Sequence, residues 1–205
     1  MDPVKIITIE GLVGAGKSVQ VTLLKKALVN YDVIFLEEPV ESWIELGLVQ
    51  GVYNGTLSPV AFQLAVLVSL IGPLLKAVLK RPKLVISERS PFSSYHVFAK
   101  ANLGGVELST YDYTFRELMS TLPPVETTMI LLDVSKDVAS RRIQSRRGSP
   151  EGSISLDYLE VLEAKHRDLG REVPEARLVI VDASGTPETT LEAVLSCVHE
   201  VFGPS

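Results

Sequence analysis

Five short apolar runs are spread along the chain, and each is four to six residues long. None of them alternates strictly between apolar and polar positions, which is typical of strands covered on both faces. The intervals between the runs carry apolar residues three and four positions apart, as amphipathic helices do. Strands joined by helical crossovers pair in parallel, so the pattern predicts a doubly wound α/β fold. The predicted strands cover residues 4–9, 33–36, 84–87, 129–132 and 178–181.

A stretch without any charged residue runs from position 46 to position 75. A helix that crosses a membrane needs about 20 consecutive apolar residues, and polar residues such as Gln50, Asn54 and Gln63 interrupt this stretch. We therefore predict a buried helix over residues 59 to about 80, kinked near Pro73, and no membrane span.

The 205 residues are 46% apolar and 22% charged, and the net charge is −5. This composition is that of an ordinary α/β protein, and we expect residues 1–205 to form a single domain. An acidic chain lacks the basic face that nucleic acid or an anionic membrane surface requires. The single cysteine, Cys197, excludes an internal disulfide framework and a cysteine-cluster metal site. The N-terminus does not resemble a signal peptide, so we expect an intracellular, cytoplasmic location.

Residues 11–18 read Gly-Leu-Val-Gly-Ala-Gly-Lys-Ser and stand between a predicted strand and a predicted helix. This is the spacing of a phosphate-binding loop, and its setting disfavours a glycine-rich turn with an incidental lysine. Backbone N–H groups of the loop and the helix N-terminus are expected to hold phosphates. Lys17 should reach the β- and γ-phosphates, and Ser18 should bind Mg²⁺. The phosphate-binding backbone is predicted at Gly11, Gly14, Ala15 and Gly16.

Charged residues follow the predicted strands at the edge where a parallel sheet holds its ligands. Glu38, pinned by the next proline, is placed to accept a proton from a hydroxyl that attacks a phosphate, unless it belongs to a solvated turn. Arg89 is placed to stabilise charge on a transferred phosphoryl group, and Glu88 to hold Arg89 or a Mg²⁺-bound water. A structural ion pair between Glu88 and Arg89 is the alternative. Asp133 and Asp182 also end apolar runs and are weaker candidates for organising Mg²⁺.

Gln63 shares one face of the predicted apolar helix with Val66 and Leu70. A buried amide needs hydrogen-bond partners, and either a planar base or the protein itself can supply them. The absence of charge in this segment favours a neutral ligand. Trp43 either stacks on that ligand or packs in the core.

Four arginines occupy the seven positions 141–147 and lead into a Gly/Ser/Pro-rich loop at 148–153. Near phosphates such a cluster is typical of a clamp, whereas a solvated basic helix face is the alternative. In an acidic chain we favour the clamp and predict an arginine-rich lid over residues 141–153.

In this order, the motifs resemble those of the deoxynucleoside kinases, the family of the cellular deoxynucleoside kinases and the herpesvirus-type thymidine kinases. The resemblance runs from Ile6 to about Val201. It is carried by I-E-G-x-x-G-x-G-K-S, E-P-V-E-x-W, Phe62-Gln63, E-R-S at 88–90, the lid and L-V-I-V-D-A at 178–183. It implies a P-loop kinase fold with a five-stranded parallel sheet, and usually a homodimer. It also implies transfer of the γ-phosphate of ATP, with Mg²⁺, to the 5′-hydroxyl of a deoxynucleoside, in nucleotide salvage for DNA synthesis.

The resemblance assigns roles to single residues. Glu38 matches the family's general base, Arg89 the arginine beside the 5′-oxygen, and Glu88 the carboxylate near the Mg²⁺ shell. The other matches form four groups, for the base, the sugar, the phosphates and the donor adenine. They are Gln63, Phe98, Trp43 and Phe62 for the base; Tyr53 and Glu151 for the 3′-hydroxyl; Arg142 and Arg146 for the phosphates; and Asp182 with Ala183 for the adenine.

One departure bears on the substrate. Members of the family selective for deoxycytidine carry an Arg and an Asp where this chain has Leu70 and Ser94. An uncharged pocket resembles that of the thymidine-accepting or broad-specificity members, so the resemblance implies thymidine, deoxycytidine or a broad range of deoxynucleosides as substrate.

Two alternatives remain open. A nucleoside monophosphate kinase of the thymidylate type must hold an acceptor phosphate with cations, and residues 46–75 offer none. A non-catalytic nucleotide switch is the other alternative, and a switch of the GTPase type would need a guanine-reading N-K-x-D sequence, which does not occur in the chain.

Overall fold

The computed structural model describes residues 2–145 and 154–202. The strands are β1 (Val4–Glu10), β2 (Val33–Leu36), β3 (Leu84–Glu88), β4 (Val125–Asp133) and β5 (Arg177–Asp182). The first helices are α1 (Lys17–Ala27), α2 (Val40–Glu45), α3 (Leu48–Tyr53), α4 (Pro59–Leu79), α5 (Pro91–Ser93) and α6 (Lys100–Asn102), with a π-helix, Ser94–Ala99, between the last two. They are followed by α7 (Gly105–Ser120), α8 (Lys136–Ser145), α9 (Leu156–Arg167), α10 (Leu169–Glu172) and α11 (Pro187–Phe202).

The five strands form one sheet in the order β2-β3-β1-β4-β5, and each neighbouring pair is parallel. The predicted parallel α/β fold is therefore confirmed. β4 begins at Val125, well before the predicted position 129, because Glu126 and Thr127 pair with β1 although they are polar. Several strands also end on a carboxylate: β1 on Glu10, β3 on Glu88 and β5 on Asp182.

Apolar residues cover both faces of the sheet. Ile7 and Ile9 of β1 lie in a core cluster with residues of α1, α8, α9 and α11. Val4 and Ile6 of the same strand pack on the opposite face, against the C-terminal half of α4. This arrangement explains why the strands carry continuous apolar runs rather than alternating ones.

The charge-free segment contains α4, a continuous helix that begins after Ser58, whose hydroxyl accepts a hydrogen bond from the N–H of Ala61. Pro73 lies inside this helix without ending it. Among the described helices, α4 alone is long and apolar enough to cross a membrane. In this structure Leu67 and Leu74 of α4 belong to core clusters, as the predicted buried helix requires.

The loop between β1 and α1 is closely packed against its neighbours. Gly11 and Gly14 have φ angles of 139° and 85°, in a region that L side chains rarely adopt. A Cβ atom at Gly11 would lie 2.8 Å from the carbonyl oxygen of Leu132, and one at Gly14 would lie 2.7 Å from that of Ala139. The loop thus presses against β4 and α8, which fixes its position relative to the sheet.

Replacing Gly14 by alanine should destabilise the fold, because the new methyl group meets the Ala139 carbonyl and the backbone angle becomes strained. We expect G14A to lower the free energy of unfolding by about 2 kcal/mol or more, measured by urea denaturation. G72A is the matched control, since a Cβ atom there meets nothing within 4 Å. It should leave the stability unchanged or raise it by up to about 1 kcal/mol. Equal stability of G14A and the wild type would contradict this packing.

Candidate active site

Lys17, the second residue from the end of the loop motif, is buried with 6% of its surface exposed. Its Nζ donates to the carbonyl oxygens of Gly11, at 3.3 Å, and Leu12, at 3.0 Å. Burial, reinforced by the nearby charge of Arg89, lowers the pKa of Lys17 to about 8, and three neighbouring glutamates oppose this shift. A partly desolvated ammonium group at the start of α1 is well suited to attract a phosphate.

Ser18 and Glu88 lie side by side next to Lys17. The Ser18 hydroxyl donates to Oε1 of Glu88 at 2.7 Å, although 70 positions separate them in the sequence. Both offer the hard oxygen ligands that Mg²⁺ prefers. Within the described residues there is no cluster of three or more His, Cys, Asp or Glu side chains that could hold a metal. A Mg²⁺ ion here would therefore take its remaining ligands from phosphate and water.

Arg89 follows β3 directly and adopts a φ of 66°, which is rare for a residue with a side chain. Its N–H donates to the carbonyl oxygen of Ile9 at 3.1 Å, which holds this conformation. The guanidinium donates from Nε to Oε1 of Glu38 at 2.9 Å and from Nη1 to the Gly11 carbonyl at 3.3 Å. Glu38, and not Glu88, is thus the partner of Arg89, so the alternative of a Glu88–Arg89 ion pair is wrong.

A cavity of about 510 Å³ opens beside this pair. Its walls come from the residues after β2, from α4, from the π-helix and from α9. The described residues predicted to bind the nucleoside all line it: Trp43, Tyr53, Phe62, Gln63, Val66, Leu70, Arg89, Ser94 and Phe98. Among the described residues in its walls, Glu38 and Arg89 carry charge. Glu151 lies outside the described residues.

A minority of the described residues that line this cavity have polar side chains. Oε1 of Gln63 is buried and has no hydrogen-bond partner among the described residues. The Ser94 and Tyr111 hydroxyls share a hydrogen bond of 2.8 Å. Trp43 packs edge-on against Phe62 and donates its indole N–H to the Ser69 hydroxyl at 3.2 Å, and it also lines the cavity.

A second cavity, of about 480 Å³, lies over the phosphate loop. Its walls include Gly14, Gly16, Lys17, Ser18 and Glu88. Glu38 and Arg89 line both this cavity and the apolar one. The loop, the general-base candidate and the arginine therefore meet where the two cavities adjoin.

A smaller cavity of about 260 Å³ lies on the other side of the loop, where Ala15 and Ala183 line it together with Arg142. Arg142 donates to the carbonyl oxygens of Ala183, at 2.9 Å, and Ala15, at 3.4 Å. Asp182 does not line this cavity, and its carboxylate accepts hydrogen bonds from Ser184. Arg146 lies outside the described residues, so the predicted lid is described only as far as the end of α8.

Two weaker metal candidates have structural partners instead. Asp133 forms a 3.2 Å ion pair with Arg167, and Asp182 is held in the turn with Ser184. Neither lies in the walls of the cavity that contains Ser18 and Glu88.

Sequence reasoning missed several residues of the apolar cavity. Asn102, Tyr158 and Leu162 line it, and the Asn102 side chain donates to the Tyr158 hydroxyl at 2.7 Å. Burial raises the pKa of Tyr158. The four-residue spacing of Tyr158 and Leu162 on α9 was visible in the sequence, but it does not distinguish a cavity wall from ordinary core.

Comparison with known proteins assigns the family. A family model described as deoxynucleoside kinase matches residues 7–202. The chain belongs to the deoxynucleoside kinase family. Putative kinase protein 143R of Invertebrate iridescent virus 6 is 31% identical over 186 residues, which cover 89% of this chain and 91% of that protein. A probable thymidylate kinase of Methanocorpusculum labreanum is 29% identical over 195 residues, 92% of this chain and 94% of that protein.

Among solved structures, the deoxyadenosine kinase from M. mycoides with bound dATP has a TM-score of 0.73 and 25% identity. The match covers 94% of this chain and 98% of that one. As a member of the deoxynucleoside kinase family with this structural likeness, the chain is an ATP-dependent phosphotransferase of the nucleoside kinase class with a P-loop fold.

The lowered pKa of Lys17 predicts a pH dependence of nucleotide binding in this kinase. The charged amine binds phosphate, so affinity is full well below pH 8 and falls as pH rises through the pKa of about 8. We expect the Kd of a non-hydrolysable ATP analogue to rise by up to about tenfold per pH unit above that value. Calorimetry from neutral to alkaline pH measures it. K17M, which has no titratable amine, should bind weakly and with a flat profile over the same range; a flat wild-type profile would contradict the assignment.

Proposed function

We propose that the protein transfers the γ-phosphate of ATP to the 5′-hydroxyl of a deoxynucleoside. The observation that carries this proposal is the Glu38–Arg89 pair at the junction of an apolar cavity and the phosphate-loop cavity. An acceptor in the first cavity and a triphosphate in the second would meet at these two side chains. This arrangement supports in-line transfer between a hydroxyl and a phosphate.

In this proposal Glu38 accepts the proton of the 5′-hydroxyl as its oxygen forms the bond to the γ-phosphorus, while the bond to the β-phosphate oxygen breaks. Arg89 stabilises the charge on the transferred group, and Lys17 holds the β- and γ-phosphates. Arg142, with the undescribed Arg146, contacts the phosphates from the lid. Asp182 and Ala183 belong to the loop near the donor adenine, where Ala183 lines the small cavity behind the phosphate loop.

Magnesium fits the same arrangement. Ser18 and Glu88 would hold the ion, directly or through water, since their oxygens lie 2.7 Å apart beside the phosphate loop. A bound Mg²⁺ neutralises charge on the β- and γ-phosphates. This use of Glu88 agrees with its position away from Arg89, whose carboxylate partner is Glu38.

The apolar cavity suits an uncharged base and sugar. Gln63 offers a carbonyl acceptor without a partner among the described residues, together with an amide donor. This pair of groups matches the hydrogen-bonding edge of thymine or cytosine. Phe98, Trp43 and Phe62 would pack around the base, and Tyr53, with the undescribed Glu151, would hold the 3′-hydroxyl. With Leu70 and Ser94 in its walls, the pocket supports thymidine, deoxycytidine or broad specificity.

The similarity to a probable thymidylate kinase supports a second candidate function, the phosphorylation of a nucleoside monophosphate. A monophosphate acceptor requires cations for its phosphate. Among the described residues that line the apolar cavity, only Arg89 is positively charged, and it is already paired with Glu38. The charge of the cavity therefore favours the nucleoside.

The test is ATP consumption with purified protein and Mg²⁺, measured with each of the four deoxynucleosides and with the matching 5′-monophosphates. We expect turnover with at least one pyrimidine deoxynucleoside and little with any monophosphate. Turnover with thymidylate but not thymidine would favour the alternative. ATP consumption that does not respond to any acceptor would overturn both kinase proposals.

E38Q is the control for the catalytic arrangement, because the amide keeps the shape of the side chain but accepts no proton. We expect turnover to fall by about 10²–10⁴-fold, the usual range for a lost general base, with a modest change in nucleoside affinity. Steady-state kinetics and calorimetric binding separate these two effects. Unchanged turnover would remove Glu38 from the mechanism.

We also propose a homodimer formed through α4 and α7, which pack against each other. Both helices expose large apolar side chains, Val68 and Leu79 on α4, and Val106 and Tyr113 on α7. Sedimentation should give the mass of two chains, and V68D should shift it toward one because it places a charge on this surface. A wild type that sediments as one chain at micromolar concentration would refute the dimer.

A further inference from the structure

Phe98 lies between the two parts of the candidate site. The guanidinium carbon of Arg89 sits 4.4 Å from the centroid of the Phe98 ring, within the range of a cation–π contact. The same side chain lines the apolar cavity. Its ring therefore contacts the arginine at the transfer position and also forms part of the wall of the acceptor pocket.

Arg89 depends on few contacts for its position. Among the described residues, its guanidinium is held by the Glu38 carboxylate, the Gly11 carbonyl and the Phe98 ring. Under the proposed function, Glu38 becomes neutral when it accepts the proton of the acceptor hydroxyl. Its attraction for Arg89 then weakens at the moment when the arginine is needed. The contact with Phe98 does not change with that proton.

His166 supports Phe98 from α9. The two rings are nearly perpendicular, at 86°, with their centroids 6.0 Å apart. Nδ1 of His166 donates to the Leu162 carbonyl at 2.8 Å, which fixes the neutral tautomer. Burial lowers the pKa of His166 to about 3, so the ring adds no charge near Arg89 at neutral pH. Because the His166 ring is neutral, it can hold Phe98 in place without repelling the Arg89 guanidinium, which also contacts Phe98.

We propose that Phe98 is a positioning residue for Arg89, in addition to any contact of its ring with the base. This inference rests on the proposed function. It predicts that the ring affects the rate of transfer at saturating acceptor, whereas a ring that only stacks on the base affects acceptor binding. A nucleoside seated against the exposed part of Phe98 would also fix the face that supports Arg89, which links acceptor binding to the transfer step.

The first test separates kcat from KM. F98L keeps an apolar side chain but removes the aromatic face, and we expect kcat to fall by about 10- to 100-fold, since a misplacement of about 1 Å can cost that much. F98Y keeps the face and should restore kcat to within about threefold of the wild type. F98L with wild-type kcat and only a raised KM for the nucleoside would overturn the proposal.

A double-mutant cycle tests whether Phe98 acts through Arg89. F98L should cost much less in kcat when introduced into R89K than into the wild type, because the planar guanidinium that it holds is already gone. F62L is the matched control, since Phe62 lines the same cavity but packs against Trp43. It should raise KM for the nucleoside and combine multiplicatively with R89K. Multiplicative effects of F98L and R89K would overturn the proposal.

The contact can also be tested without turnover. Urea denaturation of the wild type, F98L, R89K and the double variant measures whether the two shifts in midpoint add. We expect a double shift smaller than the sum of the single ones. Additive shifts would show that Arg89 and Phe98 do not interact in solution, whatever the enzyme phosphorylates. If the wild type shows no nucleoside-dependent ATP consumption, the proposed function is refuted. The denaturation measurement then still tests whether Arg89 and Phe98 interact.

Discussion

The candidate site depends on the interactions that hold the buried guanidinium of Arg89. Only 4% of this residue is exposed, and a buried cation is costly unless charge and hydrogen bonds compensate it. The compensation comes from three parts of the chain: Glu38 after β2, the carbonyl of Gly11 in the phosphate loop, and the ring of Phe98 in the π-helix. One side chain thereby links the wall of the apolar cavity, the phosphate loop and the general-base candidate.

Much of this arrangement follows from local sequence patterns. Apolar runs predict the strands because a parallel sheet buries both faces, and the phosphate loop is visible from its glycines and its lysine. The start of β4 was missed because Glu126 and Thr127 pair with β1 while carrying polar side chains. Such pairing depends on backbone hydrogen bonds, which polar and apolar residues form equally well.

The partner of Arg89 could not be deduced from the sequence. Glu88 adjoins it in the chain, but the two side chains diverge: Glu88 ends β3 and reaches Ser18 on α1, whereas Arg89 turns back through a left-handed backbone conformation. Glu38 lies next to Arg89 because β2 is the neighbour of β3 in the sheet. Local sequence patterns do not determine the order of the strands. The roles predicted for Arg146 and Glu151 stay predictions, since both lie outside the described residues.

The charged pair in the wall of the apolar cavity affects whether the cavity can accept a neutral nucleoside or a nucleoside monophosphate. Apolar walls lower the local dielectric and strengthen the electrostatic interactions of the charged groups that line the cavity. There the positive charge of Arg89 is already balanced by Glu38 at 2.9 Å. Under the proposed function, a neutral nucleoside would leave this balance intact until its hydroxyl proton moved to Glu38, which would free Arg89 to stabilise the incoming phosphoryl group. A monophosphate would instead bring its own negative charge against a paired cation, with the Glu38 carboxylate beside it. We infer that the same ion pair that prepares the arginine for transfer also selects against a phosphorylated acceptor.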